Sequence, residues 1–93
     1  MRHAVETERL FNKIVDETPQ EIKTQMDWQF GLADVIYNRL QEIGMSKKEL
    51  AQKVGTSPAA VSRWVGGGHN FTLSTLAKIS SVLGVPLISV ASK

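Results

Sequence analysis

The stretch Lys47-Lys48-Glu49-Leu50-Ala51-Gln52-Lys53-Val54-Gly55-Thr56-Ser57-Pro58-Ala59-Ala60-Val61-Ser62-Arg63-Trp64-Val65-Gly66 decides how the chain folds. Ser46 stands before it and Glu49 follows three residues later, a capping box that opens a short helix through Leu50, Ala51 and Val54. Gly55 closes that helix. Ser57 then caps a second one, with Pro58 at its first position where a missing amide does no harm, and this helix runs to about Val65 before Gly66-Gly67-Gly68 stops it. Counted from Lys47 as position one, Ala51 stands fifth, where two crossing helices approach most closely and a larger side chain would push them apart. Gly55 stands ninth, where the turn needs a positive φ. Leu50, Val54, Val61 and Trp64 occupy positions four, eight, fifteen and eighteen, all facing inward. Two short capped helices joined by a tight glycine turn make a helix-turn-helix unit.

The flanks are helical too. Upstream, Leu32, Ile36, Leu40 and Ile43, flanked by Ala33 and Tyr37, recur at helical spacing and give one buried face that Gly44 ends. Thr18 with Glu21, and Pro19 between them, predicts a capping box with proline at the first helical position. The helix begun there either runs unbroken to Ile43 or breaks near Asp27 to Gly31. Farther upstream, roughly Val5 to Val15 forms a helix with Val5, Leu10, Phe11, Ile14 and Val15 on a loose stripe. Trp28 and Phe30 belong to the core or cover a dimer face. Downstream, after His69-Asn70-Phe71, Thr72 caps a last helix carrying Leu73, Leu76, Ala77, Ile79, Val82 and Leu83. Gly84 ends it, with Val85 placed for the apolar contact of a Schellman motif and Pro86 barring continuation. The β-branched tail Leu87-Ile88-Ser89-Val90 is an edge strand or a packed arm.

With 93 residues, 42% of them apolar and 22% charged, the chain suits one compact domain with an appended segment. It divides into a helical extension over 1–27, a helix-turn-helix domain over 28–86 and a tail over 87–93. No cysteine is present, so disulfides, thiolate metal sites and cysteine nucleophiles are excluded together, and His3 and His69 stand in no ligand spacing. No cofactor is expected. No apolar run approaches the ~18 residues of a membrane span, and the N-terminus carries charges where a signal peptide would be apolar, which points to a cytoplasmic protein without a membrane partner. The net charge of +2 is segregated: residues 1–27 carry four basic and six acidic side chains, whereas residues 44–93 carry six basic side chains against Glu49 alone. A positive half is what a phosphate-binding surface requires.

The stretch Glu49 to Thr56 resembles the first half of the motif in the phage repressor and Cro (Xre-type) DNA-binding domains, and Leu76 to Val85 resembles that family's closing helix. The resemblance covers about Leu32 to Val85. It implies an all-α fold, a repressor-like bundle of four to five helices with an N-terminal helical extension. Within the family, His69 to Leu76 after a glycine run is similar to a branch that includes antitoxins of the HigA type. The resemblance also implies that Ser57, Pro58, Ala59, Ser62 and Arg63 lie where bases are read. A helical wheel agrees: with Val61 at the centre of the buried face, Ala59, Ser62, Arg63 and Gly66 project outward while Trp64 and Val65 point in. In the major groove Arg63 would fork onto guanine, Ser62 would bond a base edge and the Ala59 methyl would meet thymine. This face is less polar than the Gln-rich version in well-known phage repressors, so DNA shape should contribute alongside direct readout. The helix start at Ser46, with Lys47 and Lys48 beside it, and the backbone from His69 and Asn70 to Thr72 are expected to hold phosphates.

The leading functional expectation is a transcriptional repressor that binds double-stranded DNA as a homodimer on a palindromic operator. In the first alternative the protein is an antitoxin whose N-terminal segment masks a toxin protein while the helix-turn-helix represses the shared operon. In the second the fold serves as a protein-interaction module without DNA. An enzyme finds no support, because neither paired carboxylates at a defined spacing nor a Ser/His/Asp set appears. The glycine run 66–68 is a turn rather than a phosphate cradle, since no strand precedes it and no Gly-Lys-Ser/Thr follows.

Overall fold

The computed structural model describes residues 17–91. The helix expected from Val5 to Val15 lies outside the described residues. Those described form four α-helices, α1 (Gln20–Ile43), α2 (Lys47–Val54), α3 (Pro58–Val65) and α4 (Leu73–Leu83), and no strand. None is long and apolar enough to cross a membrane.

Helix α1 runs unbroken through Asp27 to Gly31, for 24 residues or ~36 Å. Gly31 does not interrupt it: a Cβ there would meet nothing within 4 Å, so the glycine only lowers helix propensity by ~1 kcal/mol. The start differs from the expected capping box. Pro19 is extended at φ −55° and ψ 145°, and its carbonyl accepts from the amides of Ile22 and Lys23 at 3.0 and 3.2 Å. Pro19 is therefore the cap residue and not the first helical one.

The buried stripe of α1 is Ala33, Ile36 and Leu40. Tyr37 and Ile43, expected on that face, are 48% and 39% exposed. Tyr37 sits ~100° round the helix from Ile36, off the stripe. At the other end the chain turns at Gly44 (φ 66°), and Met45 takes the inward place: its amide donates to Leu40 O at 3.0 Å while Gly44 donates to Gln41 O at 3.3 Å. That pair of bonds is a Schellman motif, and Met45 packs on the core as its apolar contact.

Ile36 and Leu40 of α1, Leu50 and Ala51 of α2, Ala60, Val61 and Trp64 of α3, and Ile79 and Leu83 of α4 form one cluster. Each fully buried aliphatic here stabilises the fold by ~1.5–3 kcal/mol. Val54 is half-buried at the edge of this cluster. Arg39 adds a polar tie: its Nε donates to Leu83 O at 2.9 Å, at the C-terminal end of α4 where the helix carbonyls concentrate negative charge, and its Nη1 pairs with Glu42 at 3.1 Å.

Helix α4 ends at Gly84 (φ 72°) with one bond, Gly84 N–H to Ser80 O at 2.9 Å. This is the αL form of C-cap rather than the expected Schellman form, because the 6→1 bond that would complete the latter is not made. The tail is an arm and not a strand. Leu87 is half-buried against the core, with its amide donating to Ser80 Oγ at 3.1 Å.

Gly67 answers two constraints at once. Its φ is +84°, and a Cβ there would lie 2.5 Å from Phe30 Cε1. Gly68 shares the positive φ (+72°) but has open space around it. Both Gly→Ala substitutions should therefore lose ~1–2 kcal/mol from backbone strain in urea denaturation, with Gly67→Ala the more costly. Adding Phe30→Ala should remove the difference between them; a difference that survives would place its origin elsewhere.

Candidate nucleic-acid interface

The geometry of the α2–turn–α3 unit follows from two caps and one glycine. Ser46 Oγ accepts from Glu49 N at 3.1 Å and starts α2; Ser57 Oγ accepts from Ala60 N at 3.2 Å and starts α3. Between them Gly55 adopts φ 85°, and the amides of Gly55 and Thr56 both donate to Ala51 O, at 2.9 and 2.8 Å. This doubly used carbonyl folds the turn tightly enough to bring α3 back across α2. Ala51 is 1% exposed and Ala60 8%, so small side chains let the two helices approach. Ala60 is a contact that counting motif positions overlooks; the signal for it is that Ala60 lies only ~40° from the inward Trp64 on the helical wheel.

Helix α3 consequently shows two unlike faces. Ala60, Val61 and Trp64 are buried, and Pro58, Ala59, Ser62, Arg63 and Gly66 are exposed. The exposed set projects from one helix as a ridge of small residues bearing a single guanidinium. Ser57 is exposed as well; its oxygen already accepts the capping bond, which leaves its O–H and one lone pair for a further partner.

Ser46, Lys47 and Lys48 lie exposed at the start of α2. Glu49 shares this end of the helix, with its Oε1 3.5 Å from Ser46 Oγ. An anion arriving here meets free backbone amides and two lysines but also one carboxylate. Elsewhere the surface from residue 44 onward has no acidic side chain, while Lys53, Arg63 and Lys78 are all exposed on it.

The loop from Gly66 to Thr72 is held by rings. Phe71 tilts against Trp64 with centroids 6.1 Å apart, and the rings of His69 and Phe71 stand nearly perpendicular with centroids 4.7 Å apart. His69 is thus half-buried, and its neighbour Asn70 is exposed. Thr72 Oγ1 accepts from Thr75 N at 3.3 Å and starts α4. The starts of α2, α3 and α4 are each capped by a hydroxyl. Trp28 and Phe30 are not core: they are 69% and 50% exposed. Phe30 instead shields Gly67, a pairing invisible to local pattern, as is the Arg39 bond to Leu83. Among the described residues no polar side chain is buried, and no group of three metal-ligating side chains is gathered.

Residues 36–89 match the family described as Helix-turn-helix, of the Xre/Cro type. The chain belongs to that family of DNA-binding regulators. Among solved structures it is similar to hydroxypropylphosphonic acid epoxidase from S. wedmorenis, at 32% identity and a TM-score of 0.60, over 63% of this chain and 31% of that one. The iron(II) form of the epoxidase with substrate gives the same identity and score, over 63% of this chain and 34% of that chain. The chain therefore spans about a third of the length of these structures. The comparison with curated proteins gave no match.

The two faces of α3 predict opposite responses to the same new charge. Val61→Asp should abolish cooperative unfolding by circular dichroism, since a carboxylate would be buried without a partner. Ser62→Asp, one residue away on the exposed face, should leave stability within roughly 0.5 kcal/mol. Comparable losses in the two variants would contradict the assigned orientation of α3.

Proposed function

We propose that this protein is a sequence-specific transcriptional repressor that binds a palindromic operator in double-stranded DNA as a homodimer. The observation that carries the reading is the exposed ridge of α3, backed by buried Val61 and Trp64. Helix α3 enters the major groove. Arg63 makes the bidentate contact to guanine O6 and N7, Ser62 bonds a neighbouring base edge, and Pro58 and Ala59 supply apolar contact to thymine methyls. Ser57 donates its remaining O–H. Phosphates are held on either side, one by the amides after Ser46 with Lys47 and Lys48, the other by Asn70, His69 and the start of α4 at Thr72. With only one forked donor on the ridge, shape readout contributes to specificity, and two half-sites ~34 Å apart supply what one short helix lacks.

A second reading, the antitoxin, is favoured by one observation. Ile22 and Met26 continue the buried stripe of α1 beyond the bundle and stand 45% and 46% exposed. With residues 1–27 as a partner-binding segment, this half of α1 and the apolar residues before it would mask a toxin, and the acidic side chains there would suit a basic one. Deleting residues 1–17 should then leave folding and operator binding intact while abolishing capture of the neighbouring gene's product. Unfolding of the truncated protein would make the segment structural.

An operator selected in vitro from random duplexes tests the main reading by fluorescence anisotropy. Affinity should fall steeply with salt, and Lys47→Ala should weaken binding to all sequences and reduce the salt slope by about one unit. Arg63→Ala should cost ~1–3 kcal/mol on the operator and little on random DNA. Equal losses on both would move Arg63 to phosphate contact. Failure to select any sequence, or affinity indifferent to salt, would favour the interaction-module alternative.

A further inference from the structure

We propose that the groove between α1, α4 and the tail is a small-molecule site whose ligand is an amphipathic organic cation, an amine or onium centre carried on an apolar body. The site stands independently of the DNA reading above; an effector role for its ligand rests on that reading.

The groove has a volume of about 670 Å³, within the ~300–1,000 Å³ typical of small-ligand sites. Trp28, Leu32 and Val35 of α1, Phe71 before α4, Leu76 of α4 and Leu87 of the tail supply apolar walls. The surface left bare in the recess is only a fraction of the ~800 Å² that each partner gives to a stable protein interface, so the recess suits a small molecule rather than a protein. Gly31 lies on the same wall. Its φ is not positive and a Cβ there would meet nothing within 4 Å, so neither the backbone nor a close contact requires a glycine inside this 24-residue helix. Asp27, Trp28 and Val35 stand three or four residues from it along α1, and the missing side chain leaves the recess open among them.

Charge decides the class of ligand. Asp27 is the one ionic group among the described residues that line the groove. Next to it in sequence stands the Trp28 indole, 69% exposed, the side-chain ring whose face attracts a cation most strongly. A carboxylate and an indole beside apolar walls fit a positive centre on an apolar body, whereas an anion of the same shape would be repelled by Asp27. The rest of the chain has the opposite bias, since its net charge is +2 and residues 44–93 carry six basic side chains against Glu49 alone. Preference for a cation is thus a property of this groove. The same lining includes Phe71, which tilts against Trp64 beneath α3, and Asn70 of the loop assigned above to phosphate. A ligand that holds these two residues competes with DNA for the loop.

Isothermal titration calorimetry of the full chain without DNA tests the proposal, with tetraphenylphosphonium as the probe and tetraphenylborate, the same shape with the opposite charge, as its control. The wild type should bind the cation at least about tenfold more tightly than the anion, and Asp27→Asn should erase that preference. Gly31→Leu should weaken the cation at least about tenfold while the melting temperature holds or rises, because leucine fills the recess and is the better helix former. No binding at millimolar tetraphenylphosphonium, a wild type that prefers tetraphenylborate, or undiminished binding to the Gly31→Leu variant would overturn the proposal. The effector role is read on the operator, whose affinity should fall at least about threefold at saturating cation. Unchanged operator affinity with the cation bound would remove that role and leave the site. Absence of DNA affinity would sink the regulator reading alone, since the calorimetry contains no DNA.

Discussion

The close crossing of α2 and α3 is the constraint from which the rest of the molecule follows. It requires a small side chain at Ala51, a left-handed turn at Gly55, and two amides sharing the Ala51 carbonyl. Once the crossing is set, the inward face of α3 is fixed to within one residue, and Val61 and Trp64 become the floor on which α1 and α4 pack. The outward face is fixed by the same step. What α3 presents to its surroundings is thus determined by packing beneath it and not by any contact of its own, which is how a bundle this small can hold a variable surface on a constant frame.

Around this unit the structure relies on few polar ties. Hydroxyl caps at Ser46, Ser57 and Thr72 satisfy amides that would otherwise be orphaned at helix starts. Arg39, itself partly exposed, bridges α1 to the end of α4, and among the described residues every buried side chain is apolar. A domain of this size has little apolar area to spare. It is notable that so much remains outside the core, along α1 and the tail.

Features governed by neighbours in sequence were legible before the structure. The serine caps, Pro58 at the first position of α3, Gly55 in the turn and the inward Leu50, Ala51, Val61 and Trp64 all follow from residue type and spacing. Features governed by neighbours in space were not. Gly31 reads as a weak point in α1, yet with nothing packed against it the helix simply continues. Tyr37 and Ile43 have the right spacing for a buried stripe, but Met45 occupies the inward place after the turn. The glycine at 67 and the phenylalanine at 30 give no local sign of each other, and neither do Arg39 and Leu83, 44 residues apart. For the candidate site, the wheel of α3 separates exposed from buried residues correctly. The hydroxyl of Ser57, committed to its cap, and the ring of His69, set against Phe71, are more encumbered than their sequence suggests.

The central claim is that the crossing of α2 and α3 presents one face of α3 to DNA. Its most direct test is a heteronuclear NMR titration of the full chain with short duplex DNA at low salt, read amide by amide. The account predicts that the largest shifts fall on residues 57–63, with a second set at 46–48 and 69–72, while the amides of Ile36, Leu83, Trp28 and Val35 stay in place. Shifts confined to α1, or none at millimolar duplex, would contradict it.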